Sequence, residues 1–266
     1  MARRRAGRHP AHASGRDRRT AAGHRTGPGR RRAARLRRVP GTAAGRPRRR
    51  GARTDRDRPA GAPGRQRGGR ERRHRLLHDS SDRFPLSHWK RDLLEHRPNG
   101  RVLAYDRRTG RTDVVADGLY FPNGLALTPD ESALMLAETA THRLLRIDLP
   151  GGRATVLTDL PAYPDNISAV GDGTYWVALP SPRLAAMERL LPHPRVRQIV
   201  ALLPGAVQPR PRRYGLVALV DGAGRVLRTL HGPSGAYPMV TGVRQHGRRL
   251  WLGSLTAAGV ARVDLD

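Results

Sequence analysis

YFPNGLALTPDESALMLAETATHRLLRIDLPGGRATVLTDLPAYPDNISAVGDGTYWVALP, running from Tyr120 to Pro180, contains two units in the same phase. One opens FPNG at Phe121 to Gly124 and the other YPDN at Tyr163 to Asn166, so that Asn123 and Asn166 are 43 residues apart. Each unit begins with an aromatic, a proline and a short carboxamide or carboxylate pair, and each runs into an apolar strand, a polar turn and a second apolar strand. A neighbouring pair of segments keeps nearly the same step. RVLAYDRRTGRTDVV (Arg101 to Val115) lines up without a gap on RLLRIDLPGGRATVL (Arg143 to Leu157), which sets Asp106 and Asp148 42 residues apart. A repeat of roughly 40 to 45 residues built from four short strands is the sequence form of a β-propeller blade. The expected fold is all-β.

Working outward, Leu76 to Ser81 reads as the end of a strand entering a loop, and Arg83 to Pro98 as a loop or short helix with Trp89, Leu93 and Leu94 on one side. Gly100 to Asp106 and Thr112 to Val115 form a hairpin across a tight RRTG turn. Strands follow at residues 124–128, 133–137, 143–148, 154–157, 166–170 and 174–178. Ser181 to Arg213 then interrupts the pattern with Leu184, Met187, Leu190 and Leu191 at helical spacing, followed by Val196, Ile199, Val200 and Leu203. Pro192 and Pro194 divide it into two short helices, which pack on the top or edge of the sheets, a lid over a central channel being compatible with this. Strands resume at residues 216–220, 225–230, 240–246, 250–253 and 260–265. About three blades and parts of a fourth are legible, fewer than a closed ring needs.

The head of the chain differs in kind. Of 51 basic and 22 acidic residues overall, residues 1–75 hold 27 arginines and 4 acids, a net charge of +23, against +6 for the rest. Residues 1–75 are almost wholly Arg, Gly, Ala, Pro and His, and such a segment cannot bury enough apolar surface to offset the entropy of ordering its backbone. Disorder is expected there. Three readings stand for this head: a nucleic-acid-binding arm, a solvated tail, or a GC-rich coding region translated out of frame. The third is favoured, because shifted GC-rich codons yield these residues and the composition turns globular near Leu76. Arg runs such as Arg30 to Arg32 would neutralise phosphates, but stacking aromatics and a binding module are absent from the head, which argues against a nucleic-acid partner. Cysteine is absent, which excludes disulfides and thiolate chemistry. No apolar run has the form of a secretory signal or the roughly 20 residues of a membrane span, so a cytoplasmic monomer is the default expectation.

The stretches DSSDRFPL (Asp79 to Leu86), GRVLAYD, GLYFPNGLAL, AETATHRLLRI, YPDNI, YWVAL and LWLGSL (Leu250 to Leu255) resemble, in order, the strictosidine synthase-like branch of the superfamily that also holds gluconolactonase, regucalcin and paraoxonase. The resemblance implies a six-bladed β-propeller, its N-terminal blades incomplete or missing, occupying residues 76–266 with a helical insertion at 181–213. It also implies a divalent cation, commonly calcium, held in the central channel by asparagines and carboxylates that start the innermost strands. Carried over by motif, Asn123, Asp165 and Asn166 fall on ligand positions, and amide and carboxylate oxygens suit calcium. The family's first-blade glutamate and a further asparagine would lie upstream of Leu76, leaving too few protein ligands for tight binding.

Members with hydrolytic activity open lactones or aryl esters, the ion polarising the carbonyl while a carboxylate or histidine activates water. Asp165 is the candidate for ligand and base, and His142 a second candidate for proton transfer whose plain reading is a surface-turn histidine. The glutamate that strictosidine synthase uses for amine and aldehyde condensation aligns with Gln245, which cannot exchange a proton as a carboxylate does, so that reaction is disfavoured. The expected function is a calcium-dependent hydrolase of a small-molecule lactone or ester. Two plainer readings stay open: Pro-Asn-Gly and Pro-Asp-Asn are ordinary turn sequences, and the propeller could be a non-catalytic binding scaffold or an inactive fragment.

Overall fold

A computed structural model describes residues 74–266 and, before them, only two short strands, β1 (Arg32–Ala33) and β2 (Arg37–Arg38). The disorder expected for the Arg-rich head therefore lies otherwise outside the described residues. From residue 74 the chain forms four antiparallel sheets taken in sequence order. The first is β3 (His74–Asp79), β4 (Gly100–Asp106) and β5 (Thr112–Leu119). The second is β6 (Pro122–Leu127), β7 (Ala133–Glu138), β8 (Arg143–Asp148) and β9 (Ala154–Asp159). The third is β10 (Ile167–Ala169), β11 (Thr174–Ala178), β12 (Gly215–Asp221) and β13 (Val226–Gly232). The fourth is β14 (Val240–His246), β15 (Arg249–Ser254) and β16 (Ala261–Asp264). β1 and β2 add to the outer edges, along β13 and β16.

Each sheet meanders outward from its first strand, and the first strands of successive sheets touch: β6 meets β10, and β10 meets β14. This is propeller-type packing, and the described residues supply four of the six blades that the family resemblance implies. The first sheet is offset. Its β4 and β5 are the segments that align with β8 and β9, so β3 corresponds to β7, a second strand.

Period-two alternation explains the core. In β7, Leu134 and Leu136 pack toward the first sheet with Val102, Leu145 and Ile147. The intervening Met135 and Ala137 pack toward the third with Ile167, Tyr175 and Val177. β11 repeats the arrangement, sending Tyr175 and Val177 to one side and Trp176 and Ala178 to the other, against Val243, Leu250 and Leu252. A strand covered on both faces reads as a continuous apolar run, which is why ALMLA and YWVA show no polar alternation. Each such large side chain contributes about 1.5–3 kcal/mol of burial.

The regularly spaced aspartates close turns. Asp106 Oδ1 accepts the Arg108 N–H (2.8 Å) and Asp221 Oδ1 those of Ala223 and Arg225 (3.0 and 2.9 Å). These are Asx turns, the local use to which a short carboxylate is suited.

Helices cap one end of the sheets. A short 3-10 turn, Leu86–His88, leads into α1 (Trp89–Glu95), and the insertion between β11 and β12 supplies α2 (Ala185–Leu190) and α3 (Pro194–Leu202), with Pro194 at the helix start where its missing N–H costs nothing. Buried Asp92 ties α1 down, accepting hydrogen bonds from Ser81 Oγ (2.8 Å) and Asn99 Nδ2 (2.9 Å). α3 is turned against the usual pattern. Its Arg197 is buried and donates to the carbonyls of Leu94 (2.9 Å), Glu95 (3.3 Å) and Leu191. Its Ile199 and Leu202 are 61% and 80% exposed. One guanidinium thereby satisfies carbonyls at the C-terminal ends of both α1 and α2. Among the described residues no helix is long and apolar enough to cross a membrane.

Candidate functional site

A cavity of about 320 Å³ lies between the helical cap and the starts of the inner strands. Trp89, Leu93, Leu184 and Met187 form its roof; Asn123, Asp165 and Thr241 stand at its floor. The floor positions are set by the aromatic-proline units. Phe121 holds φ at 54°, and the loop is fixed by the Tyr120 N–H donating to Glu138 Oε1 (2.8 Å) and by the Thr139 N–H donating to the Phe121 carbonyl (3.1 Å). A non-glycine residue at positive φ persists only where its surroundings over-determine it. The hydroxyl just after each second strand then reaches the proline of the next unit: Ser80 Oγ donates to the Pro122 carbonyl (2.8 Å) and Thr139 Oγ1 to that of Pro164 (2.6 Å).

The second and third sheets approach tightly at Gly124. Its N–H donates to the Asp165 carbonyl (3.1 Å), and a Cβ there would lie 2.3 Å from Ile167 N and 2.6 Å from Asn166 Cα. Only glycine allows this approach, which brings Asn123 of the second sheet beside Asp165 of the third. Burial pushes the Asp165 carboxyl up to about 7; hydrogen bonds from the Asn166 backbone and the Asn123 side chain oppose the rise without cancelling it. Asn166 does not line the cavity. Its Nδ2 donates to Asp165 Oδ1 (2.9 Å) and to the Thr241 carbonyl (2.7 Å), so it props the carboxylate and ties the third sheet to the fourth.

Two expectations change. His142 is not on the surface: it is 3% exposed, with φ at 60°, and its ring meets Tyr163 edge-on at 4.3 Å. Its Nε2 is 3.6 Å from Glu188 Oε1, too long for a hydrogen bond. Burial and the nearby Arg183 charge hold it down at about 4, so it is neutral at physiological pH. Tyr163 lines the cavity and His142 does not, which leaves the histidine without access to a bound carbonyl. Gln245, aligned above with a catalytic glutamate, also lies off the cavity. Its Oε1 accepts the Trp176 indole N–H (2.6 Å) and its Nε2 donates to the Gly247 carbonyl (3.0 Å), so it bears on packing between β11 and β14 rather than on chemistry.

One floor residue was missed. Tyr237-Pro238-Met239 is a third aromatic-proline unit in phase, displaced by the helical insertion, and Met239 lines the cavity as Asn123 and Asp165 do. The signal was the triplet itself. A thioether is a soft donor and no calcium ligand.

Among the described residues no group of three or more His, Cys, Asp or Glu is arranged to hold a metal. The oxygens of Asn123, Asp165 and Asn166 are of the right type for calcium, which takes six to eight hard donors. With Asn166 off the cavity, the two side chains left there carry one negative charge and would leave most of a calcium shell to other donors.

Residues 72–149 match the family model described as strictosidine synthase. Protein STRICTOSIDINE SYNTHASE-LIKE 6 of Arabidopsis thaliana is 34% identical over 189 residues, covering 70% of this chain and 50% of that protein. Adipocyte plasma membrane-associated protein of Danio rerio is 31% identical over 199 residues, covering 71% of this chain and 48% of that protein. The chain spans about half the length of the curated relatives it matches. Among solved structures, a gluconolactonase of Xanthomonas campestris has a TM-score of 0.42 at 16% identity, covering 63% of this chain and 45% of that one. A calcium-binding regucalcin of Agrobacterium tumefaciens has a TM-score of 0.40 at 14% identity, covering 64% and 53%. In sequence the chain is similar to the strictosidine synthase-like proteins, and its own sheets pack in the propeller manner.

Proposed function

We propose that the chain is a divalent-cation-dependent hydrolase of a small-molecule lactone or ester. The observation that carries this reading is Asp165: a single carboxylate, flanked by Asn123 from the neighbouring blade, at the floor of an apolar cavity and raised to about 7. Asn123 and Asp165 would hold the ion, calcium by donor type, with Asn166 bracing the carboxylate. When bound, calcium polarises the substrate carbonyl. The chain's own residues do the rest. The roof residues exclude water from the acyl or aryl part of the ligand, and the Asn123 amide orients the carboxylate. Asp165 is the candidate to accept a proton from an attacking water, its proton affinity raised by burial and lowered again when the ion binds.

A scaffold without catalysis is the second reading, and Met239 favours it, because the third floor position offers sulfur where a tighter shell would have oxygen. Calcium titration of the full chain with a panel of lactones and aryl esters separates the two. Turnover that saturates with calcium and is lost in Asn123→Ala is expected. Calcium binding without any metal-dependent turnover would leave the scaffold.

A further inference from the structure

Between Glu188 and Asp221 the sequence holds six arginines and no acidic residue. One of them, Arg197, is the buried group that ties α3 to the ends of α1 and α2. The other five, Arg189, Arg195, Arg210, Arg212 and Arg213, are exposed, and none of them is in an ion pair among the described residues. Because Arg197 faces inward, the apolar stripe of α3 faces out. Val196 is followed three residues on by Ile199, and Ile199 three and four residues on by Leu202 and Leu203, the spacing of one helix face. All four are exposed, and Val207, in the turn that follows, is 68% exposed.

Large side chains held in water along one face keep the unfavourable hydration that burial would remove, and a contiguous patch of this kind marks a contact surface. The patch is a ridge on the outside of the cap, not a groove, so its occupant is something the ridge can press into. Charge says what that is. Arginines flank the ridge on both sides along the chain, and no carboxylate among them offers a protein partner a pattern of mixed charge. A single sign of charge around an apolar crest suits a planar anionic surface: the apolar side chains enter the acyl boundary, and the long arginine stems let the guanidinium groups stay level with the lipid phosphates.

We infer that the outward face of α3 and the turn after it form a membrane-contact surface that rests on anionic lipid, with Ile199 and Leu202 at the depth of the acyl boundary. The surface is independent of the chemistry proposed for the cavity.

The Arg-rich head would adhere to anionic vesicles by charge alone, so the test has to report on position. A chain without cysteine makes this direct. Ile199→Cys and Thr109→Cys are each labelled in the full chain with the environment-sensitive fluorophore NBD. Thr109 is exposed in the turn after β4, a strand that begins close after α1 and runs away from the cap. On vesicles of equal parts phosphatidylserine and phosphatidylcholine the label at 199 should brighten and shift to the blue, while the label at 109 stays as it is in water. Phosphatidylcholine alone should leave both unchanged. Leu202→Asp in the chain labelled at 199 should abolish most of the shift with the thermal midpoint unchanged. A chain that sediments with the anionic vesicles while the label at 199 stays dim is held by its head, which overturns the inference. An equal response at 109 and 199, or at 199 on both kinds of vesicle, overturns it too. So does a response at 199 that needs no vesicles and grows with protein concentration, which would give the face to a second copy of the chain.

Discussion

The Asp165 carboxyl makes a quantitative prediction about stability in the absence of metal. Its affinity for a proton rises from an ordinary 3.8 in the unfolded chain to about 7 in the fold, because burial disfavours the charged form. The folded state therefore holds a proton that the unfolded state has released throughout this window. The stability from this group is fully present below about pH 3.8 and is lost as pH rises through about 7. At about 1.4 kcal/mol per pKa unit the full loss is about 4 kcal/mol; solvent contact at this half-buried carboxylate lowers the expected figure to about 2–4 kcal/mol. Asp165→Asn removes the charge and keeps the shape, so it should be more stable than the parent by that amount at pH 8 and equal to it near pH 4. Urea unfolding of both chains in chelator, followed from pH 4 to pH 8, measures the difference directly. Saturating calcium should compress the parent's pH dependence, since the ion binds the charged form. A parent and variant that differ by a constant offset at every pH would refute the reasoning.

Three further substitutions probe how the site is held. Gly124→Ala places a methyl 2.3 Å from Ile167 N, so the inner strands of two blades must part; a loss of about 1–3 kcal/mol in urea unfolding and weaker calcium binding are expected. Arg197→Met strands the carbonyls of Leu94, Glu95 and Leu191. It should cost about 2 kcal/mol locally, opening the helical cap roughly thirtyfold more often by limited proteolysis within 181–213, with little change in the midpoint of sheet unfolding. Trp176→Phe and Gln245→Leu, combined in a double-mutant cycle, should show a coupling of about 1 kcal/mol from the 2.6 Å indole bond. Zero coupling would mean the bond contributes nothing net.

Most strands were legible because alternation and turn chemistry agree: the ranges read at 133–137, 143–148, 174–178 and 240–246 differ from β7, β8, β11 and β14 by at most a residue at one end. The two floor units at Asn123 and Asp165 were equally plain, since a proline followed by a short oxygen-bearing side chain recurs in phase. Met239 was hidden by the insertion that stretches the interval and by its own chemistry. His142 was misplaced because a Thr-His-Arg turn between two strands looks solvated, whereas α2 arrives from more than 40 residues downstream to cover it. The helical cap defeats pattern reading for a related reason. In α3 the charge faces inward and the apolar face outward, and only the carbonyl ends of α1 and α2 explain why.

The central claim is that Asn123 and Asp165, from adjacent blades, hold one cation at the floor of an aromatic-lined cavity. Terbium stands in for calcium and emits when a nearby aromatic is excited, and Trp89 and Tyr163 line the same cavity. Titrating terbium into the full chain at pH 8 should give sensitised emission that saturates at one ion, is competed away by calcium, and is lost in both Asn123→Ala and Asp165→Asn. Emission that survives both substitutions, or no emission from the parent chain, would contradict the account.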